Sequence, residues 1–224
     1  KIYITASGGP FLNLDRKKFS KIKPKEAIKH PKWNMGKKIS VDSATLMNKV
    51  LEITEALKLF PFSLKKYEIL IHPESLIHAI IKLKNGTSFF LHHIPDMKIP
   101  IGNSLVKNFN FKKFFIKNNK NKNVIKSLNF CSVDKNKFPS VNLIPIMNSR
   151  KSSPIIINAA NEIFVDEFLK NNISFNDIVR YLKLVIKNKS YIKTSNLPAD
   201  SVKNIYTIDN WARKTASDIV KKNK

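Results

Sequence analysis

Between Ser43 and Glu52 the chain gathers a hydroxyl, an amide, an ammonium and a carboxylate within ten residues: Ser43, Asn48, Lys49 and Glu52. At helical pitch, Thr45, Asn48, Lys49 and Glu52 share an arc of about 100°. This arc lies beside an apolar stripe formed by Leu46, Val50, Ile53, Leu57 and Phe60. Taken alone, such a face is ordinary: a lysine and a glutamate near one another support a solvated helix surface. The residue before it changes the chemistry. With Asp42 or Ser43 as the cap of a helix that Pro61 ends, Ser43 stands where free backbone N–H groups and the positive end of the helix dipole favour an anion. Asn48 and Lys49 would then complete a cradle for a phosphate.

Two other segments carry groups that suit the same task. Ser7-Gly8-Gly9 sets a hydroxyl beside backbone that can approach a ligand closely, because glycine has no Cβ; by itself this is a plain turn. His30-Pro31-Lys32-Trp33-Asn34-Met35-Gly36-Lys37-Lys38 puts an imidazole, an indole, a thioether and cations into a loop where no regular element requires a tryptophan. Trp33 either packs that loop to the body or covers a ligand as a water-excluding lid, and the segment itself supports both readings.

The elements that must position these groups follow from periodicity and punctuation. Lys1 to Ala6 reads as a strand stopped by Ser7-Gly8-Gly9-Pro10, and Glu68 to His72 as a buried strand. Ala79 to Leu83 and Ser88 to His92 read as a hairpin turning at Asn85-Gly86. Residues 7–38 form a long polar loop, with a short helix over Pro24 to Lys29. After a Lys-, Asn- and Phe-rich connector without period, helices are expected near Ser140–Asn148, Ile155–Leu169, Phe175–Ile186 and Ile205–Lys221. The fold class is α+β: a small mixed sheet with flanking helices, followed by a C-terminal helical bundle. The division is a catalytic unit over 1–107 with a mobile loop at 7–38, a connector over 108–137 and a bundle over 138–224.

Composition bounds the partners. The 224 residues are 42% hydrophobic and can bury a real core. A formal charge of +25, from 41 Lys+Arg against 16 Asp+Glu, raises the question of a polyanionic partner. Only Arg16, Arg150, Arg180 and Arg213 are arginines, however, and guanidinium is the preferred group for bidentate phosphate and base recognition. Lysines spread from end to end suit a compositional bias better than a nucleic-acid surface, although they would draw small anionic substrates from a distance. Cys131 is the single cysteine, which excludes an intrachain disulfide. No apolar run approaches the roughly 20 residues that span a bilayer.

In this order, the segments resemble the 1-deoxy-D-xylulose 5-phosphate reductoisomerase family. The resemblance is carried by Thr5-Ala6-Ser7-Gly8-Gly9-Pro10-Phe11, by the run from His30 to Thr45, and by Met47-Asn48-Lys49 with Glu52. It continues through Ile71-His72-Pro73-Glu74-Ser75 with His78, Pro95-Asp96-Met97, and Asn158-Ala159-Ala160-Asn161-Glu162. It implies that Ser7, Ser43, Asn48 and Lys49 hold a substrate phosphate, with His30 closing over it, so that Lys49, His30 and Glu52 form the catalytic set. It implies Glu52 as a ligand of Mg²⁺ or Mn²⁺, Trp33 and Met97 as substrate contacts, and Met35 and Gly36 against NADPH. The activity so implied is conversion of 1-deoxy-D-xylulose 5-phosphate to 2-C-methyl-D-erythritol 4-phosphate by a homodimer, in isoprenoid precursor synthesis.

The departures set the remaining expectations. No Gly-rich dinucleotide fingerprint is present, so the family's Rossmann-type NADPH domain is missing from this chain, as are the other metal carboxylates. The chain alone is therefore expected to be inactive. His72, His78, His92 and His93 are assigned mainly structural roles, with His78 the candidate among them for the pocket. Val106 to Phe111 replaces a Trp-Pro-containing segment of the family, and Cys131 to Pro139 is shortened. A bacterial cytoplasm is the expected compartment, with a plastid-type organelle as the alternative. Competing functions are a basic module binding nucleic acid or anionic surfaces, marked by steeply salt-dependent duplex binding, and a decayed enzyme remnant.

Overall fold

A computed structural model describes residues 1–31, 35–107 and 127–223. Its strands are β1 (Ile2–Ala6), β2 (Tyr67–Ile71), β3 (Ile77–Lys82), β4 (Ser88–His92) and the short β5 (Cys131–Ser132). They form one mixed sheet in the order β4-β3-β1-β2-β5. β1 and β2 run parallel with Ala6 opposite Ile71, while β3, β4 and β5 pair antiparallel to their neighbours. The carboxyl ends of β1 and β2 therefore lie together with the start of β3 and the end of β4, where Ile77 pairs with His92.

Helices flank the sheet: α1 (Pro24–Ala27), α2 (Lys37–Thr45), α3 (Met47–Leu59) and α4 (Lys98–Leu105), then α5 (Ile144–Met147), α6 (Ser153–Leu169), α7 (Phe175–Ile186), α8 (Tyr191–Ser195) and α9 (Val202–Lys222). The expected α+β class holds, and the strands and the long C-terminal helices lie close to where the pattern put them. α4, α8 and β5 were not anticipated. Each is short and lacks a strong period, so tertiary contacts rather than pattern define them.

The expected helix starting at Asp42 or Ser43 is corrected. Lys37 to Thr45 is already helical, and Leu46 then adopts a left-handed backbone (φ 61°, ψ 14°) that separates α2 from α3. Ser43 thus sits in the last turn of one helix, not at the entrance of the next. A leucine in that conformation is strained. Burial offsets the strain, because Leu46 packs with Ala6, Ile53, Ile69, Ile71 and Phe138 under the sheet. Thr45 Oγ1 accepts the Met47 N–H at 3.3 Å and supplies the cap that Ser43 was expected to give.

A larger core joins α2 and α3 to the C-terminal helices, and it includes Phe11, Phe19, Ile22 and Ala27 from the 7–38 stretch. Phe175 meets Phe11 edge-on at 5.3 Å and Phe19 at 5.8 Å. Much of the segment expected to be mobile is therefore pinned to the bundle. The connector 108–126 and Trp33 lie outside the described residues.

One buried polar contact ties α2 to α6. Asp42, 1% exposed, pairs with Lys38 Nζ at 2.7 Å and accepts from Asn161 Nδ2 at 2.8 Å. Burial pushes the Asp42 carboxyl above its usual range against the pull of Lys38 and Asn161. Asp42→Ala leaves the Asn161 amide unpaired in the core and is expected to cost about 2 kcal/mol, read as a lower denaturant midpoint with an unchanged m-value.

Candidate functional site

The site assembles at the carboxyl ends of β1 and β2, where open α/β sheets bind ligands. β1 delivers Ser7, and the two glycines after it have positive φ, 84° and 65°. Gly9 is required for close approach. A Cβ there would lie 3.0 Å from both Ala44 Cα and Ser43 O, so the turn can rest directly on the last turn of α2. The Ser7 and Ser43 segments thereby meet, but at the C-terminal turn of α2, where the helix-dipole argument for an anion at Ser43 does not apply.

Ser7 Oγ accepts the Gly9 N–H at 3.2 Å and lies 2.9 Å from His30 Nε2. Burial, then the charge of Lys49, hold His30 below its usual 6.5, so the imidazole is neutral near pH 7. That effect also places Lys49 within electrostatic reach of the Ser7–His30 pair. Lys49 Nζ contacts Glu52 Oε1 at 2.7 Å and Oε2 at 2.8 Å, as expected for residues three apart on one helix. Asn48 Oδ1 is buried and has no hydrogen-bond partner among the described residues.

His78 belongs to the same cluster. Its ring stacks on His93 at 3.7 Å, and its Nε2 lies 2.9 Å from the His93 carbonyl oxygen. Burial lowers its pKa; the His93 carbonyl opposes this, while His93, Lys49 and His92 reinforce it. Its strand starts at the end of the sheet where Ser7 leaves, a fact set by β3 running antiparallel to β1.

Other expected residues lie at the start of α2 and of α4. Gly36 caps α2 with its carbonyl, which accepts from Ser40 N and Ser40 Oγ, and a Cβ on it would meet nothing within 4 Å. Met35 precedes it, partly buried. Met97, 54% exposed, sits at the N-cap of α4, four residues beyond His93. Among the described residues no three His, Cys, Asp or Glu side chains gather to hold a metal ion. Glu52 is a single carboxylate, which does not by itself make a site for a hard divalent cation.

Sequence reasoning passed over Ser75. Its backbone is left-handed (φ 56°), the residue is buried, and its Oγ finds no partner among the described residues. It lies in the β2–β3 link, whose first residue, His72, donates its backbone N–H to the Ala6 carbonyl at 2.7 Å. Nothing in the residue types marks a positive φ at a serine.

These features define an α+β domain with a cluster of polar side chains at one end of its mixed sheet, and relatives of known activity share the chain's design. A model of the 1-deoxy-D-xylulose 5-phosphate reductoisomerase C-terminal domain matches residues 1–60, and one of the DXP reductoisomerase C-terminal domain matches 93–215. The chain belongs to the 1-deoxy-D-xylulose 5-phosphate reductoisomerase family. It is 43% identical to that enzyme of Pelagibacter ubique over 94% of this chain and 54% of the relative. A solved enzyme from Zymomonas mobilis in complex with NADPH superposes with a TM-score of 0.79 at 33% identity, covering 98% of this chain and 55% of that one. A solved complex with fosmidomycin and magnesium superposes at 0.88 with 33% identity, covering 99% and 54%. The chain spans about half the length of these relatives.

Two measurements check the geometry. Gly9→Ala should destabilise the fold by more than about 1 kcal/mol and shift the Ser7 and His30 resonances, whereas Gly86→Ala, which meets open space, should leave that pair unmoved. His30 and His78 both carry lowered native pKa values, so their contribution to stability is full above the unfolded value of 6.5 and is lost as pH falls through the lowered native values. His30→Gln and His78→Gln should each flatten the fall in unfolding midpoint below pH 6.5 relative to the parent chain.

Proposed function

We propose that this chain is the substrate-binding portion of a 1-deoxy-D-xylulose 5-phosphate reductoisomerase, which makes 2-C-methyl-D-erythritol 4-phosphate with NADPH and a divalent cation. The observation that carries the reading is the contact between Ser7 and His30, on segments distant in sequence, with the charge of Lys49 helping to hold the His30 pKa down. In this reading Ser7, Ser43, Asn48 and Lys49 bind the phosphate, and that remote binding energy fixes the orientation of the reacting end. Neutral His30, half-buried against Ser7, adds a hydrogen bond without adding charge. The orphaned Asn48 oxygen suits a ligand hydroxyl or a bound water better than a phosphate oxygen.

Glu52 would give one oxygen ligand to Mg²⁺ or Mn²⁺, whose chemistry is Lewis-acid polarisation of the sugar oxygens. The described residues do not complete that metal site, and NADPH likewise calls for a binding surface beyond them. Acting alone, the 224 residues are therefore proposed to bind without turning over.

A homodimer is part of the reading. Phe89, Phe90 and Leu91 of edge strand β4 are each at least half exposed, with Ile81 and Leu83 beside them, a liability on a monomer's sheet edge. No described helix is long and apolar enough to cross a membrane.

Calorimetric titration with inorganic phosphate at fixed ionic strength should show saturable binding that Lys49→Ala weakens at least tenfold; equal affinities defeat the cradle. Sedimentation should give a dimer that Phe89→Asp with Leu91→Asp converts to a folded monomer.

A further inference from the structure

Among the described histidines, only His72 has no exposed surface, and the cradle makes no use of it. Its hydrogen bonds fix its tautomer. Nε2 lies 3.2 Å from the Leu76 backbone nitrogen, and because a backbone N–H can only donate, Nε2 must offer its lone pair. The ring proton of the neutral imidazole therefore sits on Nδ1. That nitrogen faces two acceptors, the Asn129 carbonyl at 2.9 Å and Glu74 Oε2 at 3.0 Å. Phe130 covers the ring in a near-parallel stack at 4.6 Å, and Glu74 in turn accepts from the Asn129 backbone and side chain.

The five residues from His72 to Leu76 form the link whose fourth member is Ser75. The Ser75 N–H donates to the His72 carbonyl at 3.1 Å, and the Leu76 N–H donates to the His72 ring. The two bonds clasp the left-handed residue from both sides. A serine pays for φ 56° only where its surroundings over-determine it. What the strain leaves behind is a buried hydroxyl without a partner among the described residues, at the end of the sheet that holds Ser7 and His78.

We propose that His72, as its Nδ1–H tautomer, is a positioning residue of the ligand site: it locks Ser75 in the left-handed conformation and so presents the Ser75 hydroxyl to an oxygen of the bound sugar phosphate. The identity of the ligand rests on the function proposed above; the clasp does not.

The test has a spectroscopic arm and a binding arm, both on the 224-residue chain. Long-range ¹⁵N–¹H spectra of the imidazoles should show His72 protonated at Nδ1 only, and an Nε2–H form overturns the proposal. The left-handed state of Ser75 is read from its Cα shift and its HN–Hα coupling. His72→Gln carries an oxygen toward the Nε2 position and should keep that signature; His72→Asn reaches only the Nδ1 side and should lose it. Fosmidomycin with magnesium, the pair held by a solved relative, should bind His72→Asn and Ser75→Ala about tenfold more weakly than the parent, and the double variant no more weakly than either. Affinity for inorganic phosphate should not change in any of them. A His72→Asn chain that keeps the Ser75 signature overturns the proposal; should that variant fail to fold, a His72→Gln chain that loses the signature does the same. If Lys49→Ala leaves phosphate binding intact while the tautomer and the Ser75 signature are as expected, the clasp stands and the sugar-phosphate reading fails.

Discussion

The site depends on one break in the backbone. At Leu46 the chain leaves α2, takes a left-handed step and re-enters a helix at Met47. Were α2 and α3 a single straight helix, Ser43 and Lys49 would lie six residues apart along it, about 9 Å at 1.5 Å per residue. The break folds that segment so that the last turn of α2 receives the Gly9 backbone while α3 carries Asn48, Lys49 and Glu52 away from the same corner. Two strained positions support one another. Gly8 and Gly9 can take positive φ because they lack a Cβ, and Leu46 takes it because its side chain is wholly buried under the sheet. Loosening either would move a hydroxyl that the cradle needs.

The C-terminal helices reach the site through α2. Asn161 sits in the fully packed middle of α6, between Ala160 and Glu162, and its amide grips Asp42 one residue before Ser43. Glu162 is held by Arg213 of α9 at 2.6 Å. The Asn-Ala-Ala-Asn-Glu run thus explains itself without touching a ligand: two small residues let α6 approach its neighbours, an amide meets a buried carboxylate, and a carboxylate meets α9. A buried ion pair contributes little net stability compared with an apolar contact. Its effect is geometric, since an Asp42 carboxylate satisfied by Lys38 and Asn161 fixes the rotation of α2 and so the direction in which its last turn faces.

Periodicity and punctuation made much of the fold legible. Phe175–Ile186 was read to the residue, because its apolar spacing is regular and Ser174 with Asp177 forms a capping box. The Ser43 helix start was misread for a physical reason: Asp-Ser before an apolar stripe is a sound cap signal, but Leu46 adopts a conformation that only its burial makes tolerable, and burial is not local information. Lys49 was legible from helical spacing, while His30 and the role of Ser7 rested on the resemblance; the structure sets Ser7 Oγ 2.9 Å from His30 Nε2. Ser75 and the role of His72 were invisible, because both follow from which carbonyls and N–H groups surround them, and Asn129 comes from 57 residues downstream.

Charge does less at this site than the chain's composition suggests. Lys49 is offset by Glu52, whose two oxygens both engage the ammonium, and His30 is neutral near pH 7. The charges of these three groups therefore nearly cancel in a chain of formal charge +25. The many lysines act through the long-range field, which raises the local concentration of any anion and is screened beyond about 8 Å at physiological salt. Such a field does not distinguish a sugar phosphate from another dianion. In the function proposed here, discrimination falls to directional groups, the Ser7 hydroxyl, the Asn48 amide and the His30 ring, each set by backbone geometry instead of charge. A site built this way should lose selectivity when its backbone corner is disturbed, even with every lysine in place, because the corner and not the charge determines where the donors point.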